Sequence, residues 1–198
     1  NCLERMKGIV VDAHGNSQAA ALNILSGLSA NPKKDCETIL RNGTDGFSTF
    51  YGYYMLEALA SLGKYNEALD FISTYWGAML DLGATTFWED LKYADVANAA
   101  RIDEIVPNGK YDIHAGGGAY CYKGLRLSLC HGWASGPTSW LTRHVLGIVP
   151  TEPGCRVLRV RPNLGSLQSV KGTFPTPYGI VTVSCTKNSQ GKVICDIE

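Results

Sequence analysis

The sequence STFYGYYMLEALASL, residues 48–62, predicts a helix, and Gly63 directly after it suits the left-handed residue that ends many helices. Asn66 favours the start of a further helix over roughly residues 67–76, and an amphipathic pattern predicts a short helix over residues 33–40. Because the turns between these helices are only a few residues long, neighbouring helices are expected to run antiparallel. Residues 33–76 are therefore predicted to form successive α-hairpins.

Helices are also predicted on both sides of this region. An Asn-Ser start signal at residues 16–17 opens a helix that reaches about residue 28 and stops before Pro32. A Ser-Gly-Pro signal at residues 135–137 opens another that continues to about residue 146. Between residues 77 and 125 the helical pattern is lost, and a loop this long in a compact domain is usually functional or disordered.

After Pro150 the hydrophobic period changes to two. The alternation predicts strands over residues 156–161 and 166–173, followed by a hairpin that pairs residues 180–187 with 192–197. One face of this hairpin is expected to enter a core and carries Val181, Val183, Cys185, Val193, Cys195 and Ile197. The chain is therefore predicted to be mainly α with a β module, divided into a helical part, residues 1–150, and an antiparallel part, residues 151–198.

Composition excludes several classes of partner. The 198 residues carry 18 basic and 18 acidic side chains, and a net charge of zero argues against nucleic acid as a partner. No apolar run approaches the roughly 18 to 20 residues of a membrane span, so no membrane partner is expected. The seven cysteines include no C-x-x-C pair and no zinc-type spacing, and we expect neither a metal nor a cofactor. Buried free cysteines are favoured over a disulfide framework, although Cys185 and Cys195 could face each other across the hairpin.

Glu89 is the first candidate for chemistry, because it lies in the non-helical stretch GATTFWED, residues 83–90. Trp88 before it could offer a stacking face or remove water from the carboxyl group. Asp90 adds a second carboxylate, but successive side chains of an extended chain point to opposite sides, so only one of the two is expected to face a given pocket. Taken alone, Glu89 fits a surface carboxylate better than a catalytic group.

His131 is the second candidate and lies in the stretch SLCHGWASGP, residues 128–137. A histidine just before a helix start can present its ring to a pocket near the positive end of that helix, and Trp133 follows two residues later. The alternative is a histidine that only packs or caps. A serine triad lacks support, because the chain contains no G-x-S-x-G motif.

Several motifs occur in a fixed order: GATTFWE at residues 83–89, SLCH at 128–131, WL at 140–141 and LGI at 146–148. The proline-containing motifs PG, PNLG and PTPYG follow at residues 153–154, 162–165 and 175–179. This combination resembles the C-terminal part of bacterial α-L-rhamnosidases over roughly residues 42–198. The ordered set is much more specific than any single motif.

The resemblance implies part of an (α/α)6 toroid followed by the start of a C-terminal β-sandwich, and an inverting glycosidase that acts on rhamnosides of plant polysaccharides or glycosides. Glu89 matches the family's general base, which activates water, and His131 matches the histidine that contacts bound rhamnose. Trp88 and Trp133 are expected to be the aromatic residues that bind substrate. Family members often continue the first motif with Arg and Trp, whereas Asp90 and Leu91 follow here, which leaves the sugar specificity open.

The resemblance also implies that the general acid lies on the N-terminal half of the toroid. We therefore expect the remainder of the same polypeptide to supply it, and the 198-residue chain alone to be inactive. The upstream aspartates Asp12, Asp45 and Asp81 carry no motif that would place them as substitutes.

Two other interpretations stay open. One is a carbohydrate-binding or scaffolding protein that keeps the helical fold and the aromatic pocket without turnover. The other is a different (α/α)6 enzyme, such as another glycosidase or a polysaccharide lyase. A lyase needs a base beside an Arg or Lys clamp, and the site segments contain no such basic cluster.

Overall fold

The computed structural model describes residues 5, 6, 9, 12–115 and 127–198. Two compact units are present, Asn1–Gly136 and Pro137–Glu198. The first unit is helical and the second contains antiparallel sheets, so the predicted mixture of helix and antiparallel β structure is confirmed. The domain division at residue 150 stays a prediction. Cys2, Cys121 and the glycine run at 116–118 lie outside the described residues.

The first unit contains the helices α1 (Ser17–Ser26), α2 (Pro32–Asn42), α3 (Thr49–Ser61), α4 (Tyr65–Phe71) and α5 (Gly77–Asp81). Side chains cap the first three: Asn16, Asn31 and Ser48 each accept a hydrogen bond from a backbone N–H three residues further on. The α1 helix packs against both α2 and α3. The helices predicted over residues 16–28, 33–40 and 48–62 are thus confirmed, with ends that shift by one or two residues.

The helix predicted to end near residue 76 runs on to Asp81. A π-helical turn, Ile72–Trp76, joins α4 to α5, and Gly77 keeps helical dihedrals (φ −59°, ψ −40°). The buried side chains of Trp76, Ala78 and Met79 anchor this continuation, so tertiary packing overrides the break that the glycine indicated. The start also differs from the prediction, because α4 begins at Tyr65, before Asn66.

Residues 84–92, between α5 and the 3₁₀ turn Tyr93–Asn98, contain no helix or strand, as the sequence predicted. The segment nevertheless packs into the unit. Trp88, Asp90 and Leu91 are buried, and the buried Tyr75 hydroxyl donates to the Leu91 carbonyl at 2.7 Å. Contacts with the helices therefore fix the course of this irregular segment.

Helix α6 (Gly136–Trp140) begins where the two units divide and continues as a π-helical turn, Leu141–Val145. The strands that follow are β1 (Ile148–Pro150), β2 (Leu158–Val160), β3 (Ser169–Thr176), β4 (Gly179–Lys187) and β5 (Val193–Ile197). They form an antiparallel β1–β2 pair and an antiparallel β3–β4–β5 sheet. The sequence did not predict β1, since three residues are too short for a recognisable alternation and one of them is Pro150.

The core of the second unit consists of Leu146, Ile148, Leu164, Val183 and Cys185. The apolar face predicted for the hairpin is confirmed except at Ile197, which is exposed because β5 is an edge strand and Ile197 is its last residue. Cys185 lies directly opposite Cys195 and forms a disulfide with it. The preference for buried free cysteines is therefore wrong for this pair. It is confirmed for Cys36, whereas Cys155 is free and half-buried and Cys130 is free and exposed.

None of the helices in the described part of the chain has both the length and the hydrophobicity that a membrane span requires.

Gly147 should be the least replaceable glycine of the second unit. It has a φ of +75°, and a Cβ there would lie 2.1 Å from the backbone of Arg161. Gly154 has a similar φ of +72° but open space around it. We expect Gly154→Ala to lower the free energy of unfolding by about 1 kcal/mol from backbone strain alone, and Gly147→Ala by about 3 kcal/mol or more. Urea unfolding measures both, and equal losses would contradict the steric argument.

Candidate active site

Two segments that are distant in sequence lie side by side around Glu89. The Glu89 N–H donates to the Ser128 carbonyl at 2.8 Å, and the His131 N–H donates to the Phe87 carbonyl at 2.8 Å. The Thr86 hydroxyl donates to the Leu129 carbonyl. Residues 86–89 and 128–131, which the sequence offered as separate candidates, are thus brought together by main-chain hydrogen bonds.

The Glu89 carboxylate is held in place by the main chain of the partner segment. Its Oε2 accepts a hydrogen bond from the Ser128 N–H at 3.0 Å, and only 11% of the side chain is exposed. A backbone N–H is a fixed donor, so it orients the carboxylate without adding a formal charge.

His131 lies beside the same carboxylate oxygen. Its Nδ1 is 3.9 Å from Glu89 Oε2, which is too long for a hydrogen bond, and the ring is 30% exposed. The ring packs against Trp133 with centroids 4.2 Å apart, and it does not cap the turn that starts at Gly132. Neither ring nitrogen of His131 therefore takes part in helix capping, and the ring lies next to the Glu89 carboxylate.

Trp133 is exposed, but a hydrogen bond from its indole nitrogen holds the ring in place. Its Nε1 donates to the Glu89 carbonyl at 2.8 Å, and 46% of the residue is exposed. The Phe50 ring lies with its centroid 5.7 Å from that of Trp133. Trp133 thus forms an aromatic wall, defined here as Trp133 with Phe50, next to the carboxylate.

A cavity of about 260 Å³ opens at this point. Its lining is mostly apolar and consists of Ser48, Thr49, Phe50, Tyr51, Glu89, Asp90 and Trp133. A mostly apolar cleft with one oriented carboxylate is typical of a small-molecule site.

Two sequence-based expectations are corrected. Trp88 is fully buried, so its ring offers no face to a ligand in this structure. Glu89 and Asp90 both line the cavity, although alternation predicted that only one would. The strict alternation of a strand does not apply, because this segment has no regular backbone.

Sequence reasoning missed the contribution of α3. Ser48, Thr49, Phe50 and Tyr51 lie about 40 residues before Glu89, and their aromatic run was assigned to a helix and nothing more. The one sequence signal was the aromatic run itself, because aromatic side chains are common in ligand-binding clefts. Among the described residues, no group of three His, Cys, Asp or Glu could hold a metal ion.

The comparisons with known proteins concern the C-terminal segment and the fold. Residues 147–198 match the bacterial alpha-L-rhamnosidase C-terminal domain family. The fold of the chain is similar to the crystal structure of a GH78 family rhamnosidase of Bacillus sp. GL1, with a TM-score of 0.69 and 22% identity over 98% of this chain. The chain spans 21% of the length of that rhamnosidase. No curated protein matches the chain. The resemblance to bacterial α-L-rhamnosidases is thereby confirmed over residues 147–198, and the similarity of the rest of the chain is one of fold.

The exposure of the four tryptophans gives a test of the site geometry. Trp76, Trp88 and Trp140 are buried and Trp133 is exposed, so iodide should quench mainly the fluorescence of Trp133. We expect Trp133→Phe to remove most of the quenchable emission, while Trp140→Phe, which deletes a buried indole, leaves the quenchable part in place. Quenching that survives in the Trp133 variant would mean that another indole is exposed.

Proposed function

We propose that this chain forms part of a glycoside hydrolase that cleaves terminal α-L-rhamnosides with inversion, and that Glu89 is its general base. The observation that carries the proposal is the position of Glu89. An oriented carboxylate borders a cavity with an aromatic wall, in a chain whose C-terminal segment matches a rhamnosidase domain family.

The proposed role of Glu89 is to take a proton from water. In an inverting glycosidase the base lies on the face of the sugar opposite the leaving group, and the two carboxyl groups are roughly 6.5 to 9.5 Å apart to leave room for that water. The Ser128 N–H at 3.0 Å from Oε2 holds the Glu89 carboxyl group in one orientation beside the cavity, as this role requires.

The sugar contacts are assigned to the two side chains beside the base. The exposed ring of Trp133 offers an apolar face to the C–H side of a sugar ring. The His131 ring does not line the cavity, but it lies beside Glu89 and can hydrogen-bond a hydroxyl of a sugar that extends past the carboxylate. Trp88 is left out of this set because it is buried.

The general acid is proposed to come from a part of the polypeptide outside these 198 residues. None of the upstream aspartates Asp12, Asp45 and Asp81 lines the cavity. Asp90 does line it, but it is the direct neighbour of Glu89 in sequence and is buried. In the same proposal, the helices of the first unit belong to an (α/α)6 toroid and the strands begin a β-sandwich, which the likeness to the GH78 rhamnosidase supports.

A carbohydrate-binding protein without turnover is the second candidate. The aromatic wall favours it, because stacking alone supports binding, and Glu89 would then act only as a hydrogen-bond acceptor. A polysaccharide lyase is disfavoured, since no Arg or Lys is among the described residues that line the cavity.

The test of the base is Glu89→Gln in the complete protein, with an aryl α-L-rhamnoside as substrate. The amide oxygen can still accept from the Ser128 N–H, so the variant should fold and bind while turnover falls at least about a thousandfold. Glu104→Gln is the matched control, because Glu104 also accepts a hydrogen bond from a backbone N–H but lies outside the cavity lining.

Calorimetric titration with rhamnose separates the two candidates. Binding together with hydrolysis that Glu89→Gln abolishes supports the hydrolase. Binding without any hydrolysis by the complete protein supports the binding protein, and near-normal turnover by Glu89→Gln would remove Glu89 as the base.

The isolated 198-residue chain should show negligible hydrolysis of the same aryl rhamnoside. The reason is the lack of a suitably placed acid among the described residues that line the cavity. Activity of the chain and of the complete protein, measured at equal molar concentration, checks this. Comparable rates would show that the acid lies within these residues.

A further inference from the structure

Thr49 is a buried residue whose hydroxyl is directed to the candidate base. It is the first residue of α3 and is 1% exposed. The capping of α3 is performed by Ser48, whose hydroxyl accepts from the Tyr51 N–H at 3.3 Å. The Thr49 hydroxyl is therefore not used as a cap, and it donates instead to the Glu89 carbonyl, 40 residues away.

The peptide groups of Glu89 depend on such long-range contacts. No helix or strand ladder includes Glu89, so its N–H and its carbonyl must find partners elsewhere. The N–H donates to Ser128, and the carbonyl accepts from Thr49 and from Trp133. Three residues from two distant segments, the start of α3 and residues 128–137, thus fix the main chain from which the carboxylate projects.

We infer that Thr49 is a positioning residue for Glu89: its hydroxyl holds the Glu89 carbonyl and so sets where the carboxylate stands. This inference rests on the proposed function, since it matters for turnover only if Glu89 is the base. Thr49 also borders the cavity, but its hydroxyl hydrogen is taken by the carbonyl, so its contribution passes through the main chain.

Loss of the Thr49 hydroxyl should affect turnover more than binding. The carbonyl keeps the Trp133 Nε1 as a donor, so the peptide gains freedom without losing all its partners. Catalysis is sensitive to displacements of the reacting groups of about 1 Å, which can cost about a hundredfold in rate. Sugar contacts through the rings of His131 and Trp133 are not changed directly.

The experiment compares Thr49→Val, which keeps the shape and removes the hydroxyl, with Thr49→Ser, which keeps the hydroxyl. In the complete protein we expect Thr49→Val to lower kcat by about ten- to a hundredfold with KM changed less than about threefold, and Thr49→Ser to restore most of kcat. Thr38→Val is the matched control, since the Thr38 hydroxyl is buried and donates to the Lys34 carbonyl inside α2, away from the cavity lining.

Hydrogen exchange gives a second readout that does not need activity. Peptides covering residues 87–91 should exchange about tenfold faster in Thr49→Val than in the wild type, Thr49→Ser or Thr38→Val. Unchanged exchange at these residues overturns the inference, whatever the activity. If exchange changes and Glu89→Gln is still active, the proposed function fails and the positioning of the Glu89 peptide by Thr49 stands. If Glu89→Gln is inactive but Thr49→Val keeps normal kcat, only the role of Thr49 in turnover fails.

Discussion

The carbonyl oxygen of Glu89 accepts hydrogen bonds from two side chains, and this one acceptor joins the segments that form the candidate site. Thr49 comes from the start of α3 and Trp133 from the short turn before α6. Each donor also brings an aromatic ring to the cavity: Phe50 follows Thr49, Trp133 contributes its own ring, and the two rings form the aromatic wall. Because these hydrogen bonds join segments that are distant in sequence, the same contacts stabilise the site and the local fold.

Other contacts in the first unit hold the two donors, Thr49 and Trp133, in place. Ser48 caps the start of α3 and therefore fixes the position of Thr49 relative to Glu89. Gly52, one turn later, lies so close to Trp76 that a Cβ would approach its ring to 2.8 Å. Trp76 in turn donates from Nε1 to the Ala134 carbonyl at 3.0 Å, next to Trp133. Close packing on α3 is thus linked to the position of the aromatic wall through a short series of contacts.

Local signals predicted much of the fold because they act within a few residues. Asn16 caps α1 and Gly63 takes a left-handed φ of +74°, as the sequence indicated, and the alternation after Pro150 predicted β4 and β5.

The features that the sequence did not predict have non-local causes. Buried side chains carry α5 past Gly77, and β1 exists only because β2 pairs with it. In the site, Glu89 and His131 were found by motif, whereas Thr49 acts through a contact across 40 residues that no local pattern encodes.

The burial of Trp88 fixes the position of a segment that has no regular secondary structure. Its Nε1 has no hydrogen-bond partner within the described structure, and an unpaired buried donor costs about 1–3 kcal/mol. An indole that buries about 200 Å² of surface gains about 5 kcal/mol at 25 cal/mol per Å², so burial of the ring wins. Leu91, on the other side of Glu89, is buried as well. Buried apolar side chains therefore flank Glu89 and keep its carboxylate at the cavity. The main-chain hydrogen bonds of Glu89 set the orientation of that carboxylate.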